Sequence, residues 1–527
     1  MRCKVKGSYS AMQSNYSIYQ SNSNYSFNNI PSSTTLSYEG IFNSAYFKLN
    51  SKEEKEAINM EISLASVKNP LSNESEVWLG ALLKSKYDGQ KINKLIDLSI
   101  AIDISGSMSG VRIDTAKKSL IQLINKLDDE DNIALSKFNH ESDPIFSYQK
   151  ISELKKLDYI SEINKLEADG GTDILKAFQG AYNLISDKNC KKNKIRRIII
   201  ITDMEDDVEP NFKLFVEKIS KENIYVTILG ISDSFKTDLA EITTNVKGAN
   251  YVIIKDIKDI NTNLVEEFDS LCFQNASNLQ LEITTPNIKI NRIIGNGKEN
   301  VKGVYAKNEW NLEQHKYYSD DFKQKIFLIL LYFKRKNKIL PKPVILMLSE
   351  FMVPGVRKEI SHILSCFPSP IKIIRNSAYI EGGMILLRLD KNTIKNENIM
   401  KFEIKYYNEL EDRKESIDIE YSFKKEIIEK ENYFSDSKIE TALALFYFAK
   451  FNRRFMKICN NENKKKKYNI EYIKRKEFKE EKEKINQFVI KHLINTENNN
   501  LNKSLVNEYL EKMEKNVESA IKFCEGK

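Results

Sequence analysis

The stretch Leu95-Ile96-Asp97-Leu98-Ser99-Ile100-Ala101-Ile102-Asp103-Ile104-Ser105-Gly106-Ser107 decides the fold. Its first eight residues form a mostly apolar run, the pattern of a strand buried on both faces in a parallel sheet. A carboxylate, Asp103, and two hydroxyls, Ser105 and Ser107, emerge together where that run ends. A hard divalent cation suits such a set, since Mg²⁺ takes about six oxygen ligands at ~2.0–2.1 Å and is held by one or two carboxylates plus neutral oxygens. Two further oxygen donors follow downstream. Thr172 lies in Gly170-Gly171-Thr172-Asp173 just before a helical pattern, and Asp203 ends the run Ile198-Ile199-Ile200-Ile201-Thr202-Asp203.

Residues 95–270 alternate strands with helices. Strands are expected at Leu95–Ile102, Asn132–Phe138, Arg196–Thr202, Ile224–Ile231 and Tyr251–Ile254. Between the first two, Ile113, Ala116, Leu120, Leu123 and Leu127 recur at three and four residues and mark one helical face; Ile174, Phe178, Ala181 and Ile185 do the same after Thr172. Alternation of this kind predicts a mostly parallel, doubly wound α/β sheet with helices on both faces. Ligands of such sheets bind beyond the carboxyl ends of the strands, at the switch in strand order, and there Asp103 and Asp203 would lie side by side. Two carboxylates so placed repel unless a cation sits between them.

Asp-x-Ser-x-Ser after a strand, then Gly-Gly-Thr-Asp, then a strand closing in Thr-Asp, resembles the von Willebrand factor type A domain and its metal-ion-dependent adhesion site. The resemblance implies a metal site of Asp103, Ser105, Ser107, Thr172 and Asp203, loaded with Mg²⁺ or with Mn²⁺ or Ca²⁺. It also implies a binding function: the ion lacks one ligand, and a protein partner presenting Asp or Glu supplies it. One departure from the family pattern is Met204 after Asp203, where Gly is usual.

Outside this region, residues 1–36 are rich in Ser, Asn and Tyr with few aliphatic side chains, and are read as a disordered tail. Residues 37–94 carry two strand patterns, Glu61–Ser66 and Val77–Leu83, too few to fold alone. After the type A region at 95–272, residues 273–430 turn β-rich, with runs at Leu279–Ile283, Ile326–Phe333, Val344–Leu348, Gly383–Leu389, Met400–Tyr407 and Ile417–Tyr421. Residues 354–378, with three prolines, are read as an irregular insertion. The early strands must pair with something, so the expectation is one β-sandwich built from 37–94 and 273–430 with the type A domain inserted in it. Residues 431–527 read as a C-terminal helical region. It opens on the capping-box pattern Ser437-x-x-Glu440, shows an apolar stripe of Ile439, Ala442, Leu443, Phe446 and Ala449, and ends on an amphipathic pattern at Ser504–Phe523. The whole order resembles the group that includes inter-alpha-trypsin-inhibitor heavy chains.

Composition narrows the alternatives. Over 527 residues, 82 Lys plus Arg against 74 Asp plus Glu give a net charge of +8, too mild to announce nucleic acid. The six cysteines are widely separated, with no Cys-x-x-Cys and only four histidines, which argues against a zinc site or a disulfide framework. The N-terminal residues show no secretory pattern, and the most apolar run falls far below the ~20 residues of a membrane span. The expected setting is therefore cytoplasmic, with secretion by a route that needs no signal as the lesser reading.

Two rival functions have their own residues. An RNA-associated protein would use the basic C-terminal region around Lys464–Lys467, but acidic residues interleave from Glu471 onward and aromatic stacking partners are few. A metal-dependent hydrolase would use His140, the histidine nearest the expected metal rim, yet the chain carries no nucleotide-binding glycine loop, His-Glu-x-x-His or nucleophile elbow. A non-enzymatic, metal-dependent protein-interaction module or scaffold is the reading the residues favour.

Overall fold

The computed structural model describes residues 2–5, 38–43, 45–50, 56–186, 194–203, 211–231, 248–253, 259–295, 357–367, 369, 371–374, 377–460, 476–494 and 502. Four strands precede the decisive run: Arg2–Val5 (β1), Tyr46–Lys48 (β2), Asn59–Lys68 (β3) and Ser75–Lys84 (β4). The run itself is Ile96–Asp103 (β5), buried at every residue. Helix Val111–Lys126 (α1), strands Asn132–Phe138 (β6) and Ser142–Lys150 (β7), and helices Lys156–Asn164 (α2) and Ile174–Ile185 (α3) follow. Strand Ile195–Thr202 (β8), helix Asn211–Lys221 (α4), and strands Ile224–Gly230 (β9) and Asn250–Ile253 (β10) complete the unit.

These six strands form one sheet in the order β10-β9-β8-β5-β6-β7, parallel except for β7 at one edge. Alternation along the strands sends side chains to two separate cores. Leu98, Ile100, Ile102, Ile199 and Ile201 meet α1, α2 and the helical turns after β10. Ala101, Ala134, Ile198 and Ile200 meet α3 and α4 on the other face. This is the doubly wound arrangement expected. The sequence reading has no strand at Ser142–Lys150, because Pro144 and a half-exposed, weakly alternating pattern hide it; an edge strand tolerates both.

The chain leaves this unit through Asp259–Asn261, a π turn at Thr262–Glu266, and Phe268–Cys272. It then enters Ala276–Thr285 (β11), Ile290–Ile294 (β12), Arg357–Phe367 (β13), Ile371–Ile374 (β14), Ser377–Glu381 (β15) and Met384–Leu389 (β16). Glu397–Asn408 (β17), Arg413–Lys424 (β18) and Tyr433–Phe434 (β19) finish the strands. One five-stranded sheet runs β1-β13-β11-β17-β18 and a second β12-β16-β4-β3-β19, with a small β14-β15-β2 sheet beside them. The early hairpin β3–β4 pairs with β16 from Val77–Leu389 to Leu82–Met384. Buried side chains of both large sheets, among them Leu64, Trp78, Leu386, Leu281 and Phe402, share one core. The type A unit is thus inserted between β4 and β11 of a β-sandwich.

Three expectations need correction. Arg2–Val5 pairs antiparallel with β13, so the first residues are not wholly a tail: an edge strand is held by backbone hydrogen bonds and needs little apolar content. Within the stretch read as an irregular insertion, residues 357–367 are a regular strand, since β13 pairs with β11 from Ala276–Cys366 to Thr285–Arg357. The capping box does not form at Ser437. Asp436 accepts the amide hydrogens of Lys438 (3.0 Å) and Ile439 (3.3 Å), while Glu440 instead meets His492 Nδ1 at 2.8 Å.

Helix Ser437–Asn460 (α5) lies on β3 and β4 and is covered by Lys476–Val489 (α6). Residues 442–449 are buried all round rather than on one stripe, because Phe478 stacks on Phe451 at 5.4 Å and Phe488 meets Tyr447 edge-on from the far side. The strand runs Ile326–Phe333 and Val344–Leu348, the lysine run and Ser504–Phe523 lie outside the described residues.

Candidate metal centre

β5 and β8 are adjacent and in register up to Ile102–Ile201, which brings Asp103 and the Thr202-Asp203 pair to the same sheet end. From β5 the chain passes first to β6 on one side and later to β8 on the other, so this end is the switch point. Asp103 and Asp203 are both fully buried. Asp103 Oδ1 accepts the Ser105 amide hydrogen (2.8 Å) and Oδ2 accepts the Thr202 hydroxyl (2.5 Å). Burial pushes the Asp103 carboxyl up to about 6; the hydrogen bonds from Thr202 and Ser105 oppose that rise, and the neighbouring Asp203 charge adds to it.

The loop after β5 tightens into a 3₁₀ turn at Gly106–Met108, anchored by the fully buried Met108. It places the Ser105 and Ser107 hydroxyl oxygens 3.0 Å apart. The Gly106 amide donates to Gly170 O (2.9 Å), and the Asp169 amide donates to Ile104 O (2.7 Å), so the loop bearing Thr172 is tied to the loop bearing the serines. Gly170 sits at φ +83°, where a side chain would strain the backbone. Asp173, not Thr172, caps α3, accepting the Lys176 amide hydrogen at 3.0 Å.

Sequence reasoning missed Arg112, in the first turn of α1. Its Nη1 donates to Ser107 O (2.9 Å) and to Asp203 Oδ2 (3.2 Å), joining the serine loop to the end of β8. Its place one turn after the Asp-x-Ser-x-Ser run was the available signal. His140 does reach the rim, but as a loop contact: its Nε2 accepts the Gly171 amide hydrogen at 3.0 Å. A Cβ on Gly171 would lie 2.3 Å from His140 Cε1, so an alanine there would push the exposed imidazole aside.

All the assembled donors are oxygens, two buried carboxylates and paired hydroxyls, which suits a hard divalent cation. Among the described residues no cluster of three or more His, Cys, Asp or Glu is placed to hold a metal, so any ion here would rely on the hydroxyls as well.

The sequence profile described as "von Willebrand factor type A domain" matches residues 97–267. This stretch is a type A domain. The chain is 24% identical over 178 residues to an uncharacterised protein of Synechocystis sp., covering 33% of this chain and 41% of that one. It is 28% identical over 208 residues to a von Willebrand factor A domain-containing protein of Dictyostelium discoideum, covering 39% of this chain and 23% of that one. A voltage-dependent calcium channel subunit alpha-2/delta-2 of Mus musculus matches at 24% over 180 residues, 33% of this chain and 16% of that one. The match thus spans less than half the length of each of these relatives.

Among solved structures, a von Willebrand factor type A protein from Catenulispora acidiphila aligns over 85% of this chain and 89% of its own, at 11% identity and a TM-score of 0.45. Proximal thread matrix protein 1 of the mussel byssus, with a zinc-occupied MIDAS motif, aligns over 37% and 50% at 15% identity and a TM-score of 0.30. Type A domains generally mediate protein–protein interaction, some of them through a bound metal. No helix among the described residues is long and apolar enough to cross a membrane.

Proposed function

We propose that the type A domain is a metal-dependent protein-interaction module, with Asp103, Ser105, Ser107, Thr172 and Asp203 holding Mg²⁺ (or Mn²⁺ or Ca²⁺) and a partner's Asp or Glu completing the shell. The observation that carries this reading is the meeting of two buried carboxylates and a hydroxyl pair 3.0 Å apart at the sheet's switch point. When bound, the ion supplies an electrophile for an incoming carboxylate. The chain's own groups do the rest. Thr202 and the Ser105 amide fix the Asp103 carboxylate, and the serines offer oxygens without adding negative charge that would repel the partner.

Binding of a carboxylate needs no proton transfer, and the one histidine at the rim has its Nε2 engaged by Gly171. That supports a non-enzymatic role. The inserted arrangement in a sandwich supports placing the whole chain with the inter-alpha-trypsin-inhibitor heavy-chain-like group, and a scaffold role in the cytoplasm belongs to the same proposal. Calorimetric titration of Mg²⁺ into wild type and Asp103→Ala tests the site: saturable binding is expected in the first and none in the second. Wild type that takes up no Mg²⁺, Mn²⁺ or Ca²⁺ would overturn the reading.

A further inference from the structure

We propose that Arg112 is a built-in counter-cation that competes with the divalent ion for Asp203 and so sets the metal concentration at which the site loads. The inference rests on the metal-site reading above and concerns its regulation. Arg112 Nη1 lies 3.2 Å from Asp203 Oδ2 and 2.9 Å from Ser107 O, so one guanidinium nitrogen spans two of the three segments that build the site. Asp203 is wholly buried, whereas the Arg112 side chain is 29% exposed. The charge that neutralises the carboxylate therefore has a route to water that the carboxylate lacks.

Two physical arguments give the contact a purpose. The first turn of a helix disfavours a cation, because amide hydrogens point that way, so the Asp203 carboxylate is what makes Arg112 favourable there. A divalent ion on Asp203 would then meet a guanidinium within a few ångströms. Like charges at so short a separation repel strongly beside a partly buried site. The two cations thus exclude one another, and metal entry requires Arg112 to leave.

Removing the charge while keeping a polar side chain tests the idea. For Arg112→Gln, the Mg²⁺ dissociation constant measured by calorimetry should fall by up to about fivefold, the equivalent of one partly exposed ion pair. Its melting temperature should drop in EDTA and reach at least the wild-type value in saturating Mg²⁺. A merely structural arginine would lower both melts. Arg112→Lys, which retains charge but not the planar fork, should fall between the two in Mg²⁺ affinity and serves if the glutamine variant fails to fold. Unchanged or weakened Mg²⁺ binding in these variants, with wild type still binding, overturns the role of Arg112 and leaves the metal site standing. Absence of binding in wild type and variants alike overturns both.

Discussion

Replacing Asp103 by Asn should stabilise the metal-free protein and abolish its response to metal, two effects of opposite sign from one change. Asp103 is fully buried, and its carboxyl is raised from an ordinary 3.8 to about 6. A group whose folded-state value is raised stabilises the fold fully below its unfolded value, near pH 4, and loses that contribution as pH rises through about 6. At neutral pH the ionised carboxylate therefore costs the metal-free fold roughly 3 kcal/mol, at about 1.36 kcal/mol per unit. Asn carries no charge. It keeps an oxygen for the Ser105 amide but meets Thr202 with an amide group instead of an acceptor, which returns about 1 kcal/mol of the gain. The net stabilisation of about 2 kcal/mol raises the melting temperature of a domain this size by roughly 4–8 °C. With Mg²⁺ at a hundred times its dissociation constant, wild type should gain about 2.7 kcal/mol by mass action and the Asp103→Asn variant nothing. Thermal melts at neutral pH in EDTA and in Mg²⁺ give all four values. A variant that melts below wild type in EDTA, or that still responds to Mg²⁺, refutes the reasoning.

Gly171→Ala puts a Cβ against the His140 ring and should break the Gly171–His140 hydrogen bond; stability should change by under about 1 kcal/mol while Mg²⁺ affinity falls, as calorimetry would show. Lys438, 1% exposed, holds Glu61 and Asp436 at 2.9 Å each; Lys438→Ala should cost about 3 kcal/mol in urea unfolding of the sandwich, with Mg²⁺ binding unaltered. Leu410, in the β17–β18 turn, is buried in the type A core. Leu410→Ala should cost about 2–5 kcal/mol and split one calorimetric transition into two, for the insert and its host.

Much of the candidate site was legible because its donors sit at strand ends, where chain direction fixes position. The Asp103-x-Ser105-x-Ser107 run and Asp203 follow apolar strands directly, and Gly170-Gly171-Thr172-Asp173 opens a helix. The contact of Arg112 with Asp203 was not legible, since it joins residues far apart in sequence through a helix start whose rotation only packing sets. The strands β7 and β13 were missed for a related reason. Both owe their existence to a neighbouring strand rather than to their own alternation.

By itself, the sequence determined the alternating α/β unit, its two-faced burial and the oxygen character of the candidate site, because burial period and strand-end chemistry are local properties of the chain. Only the tertiary structure decided which strands complete the sandwich, that Asp436 rather than Ser437 caps α5, and that Glu440 turns to His492. It also decided which cation faces Asp203. Pairing partners and charge neighbours are set by which surfaces meet once the chain is closed on itself, and no period along the sequence encodes that.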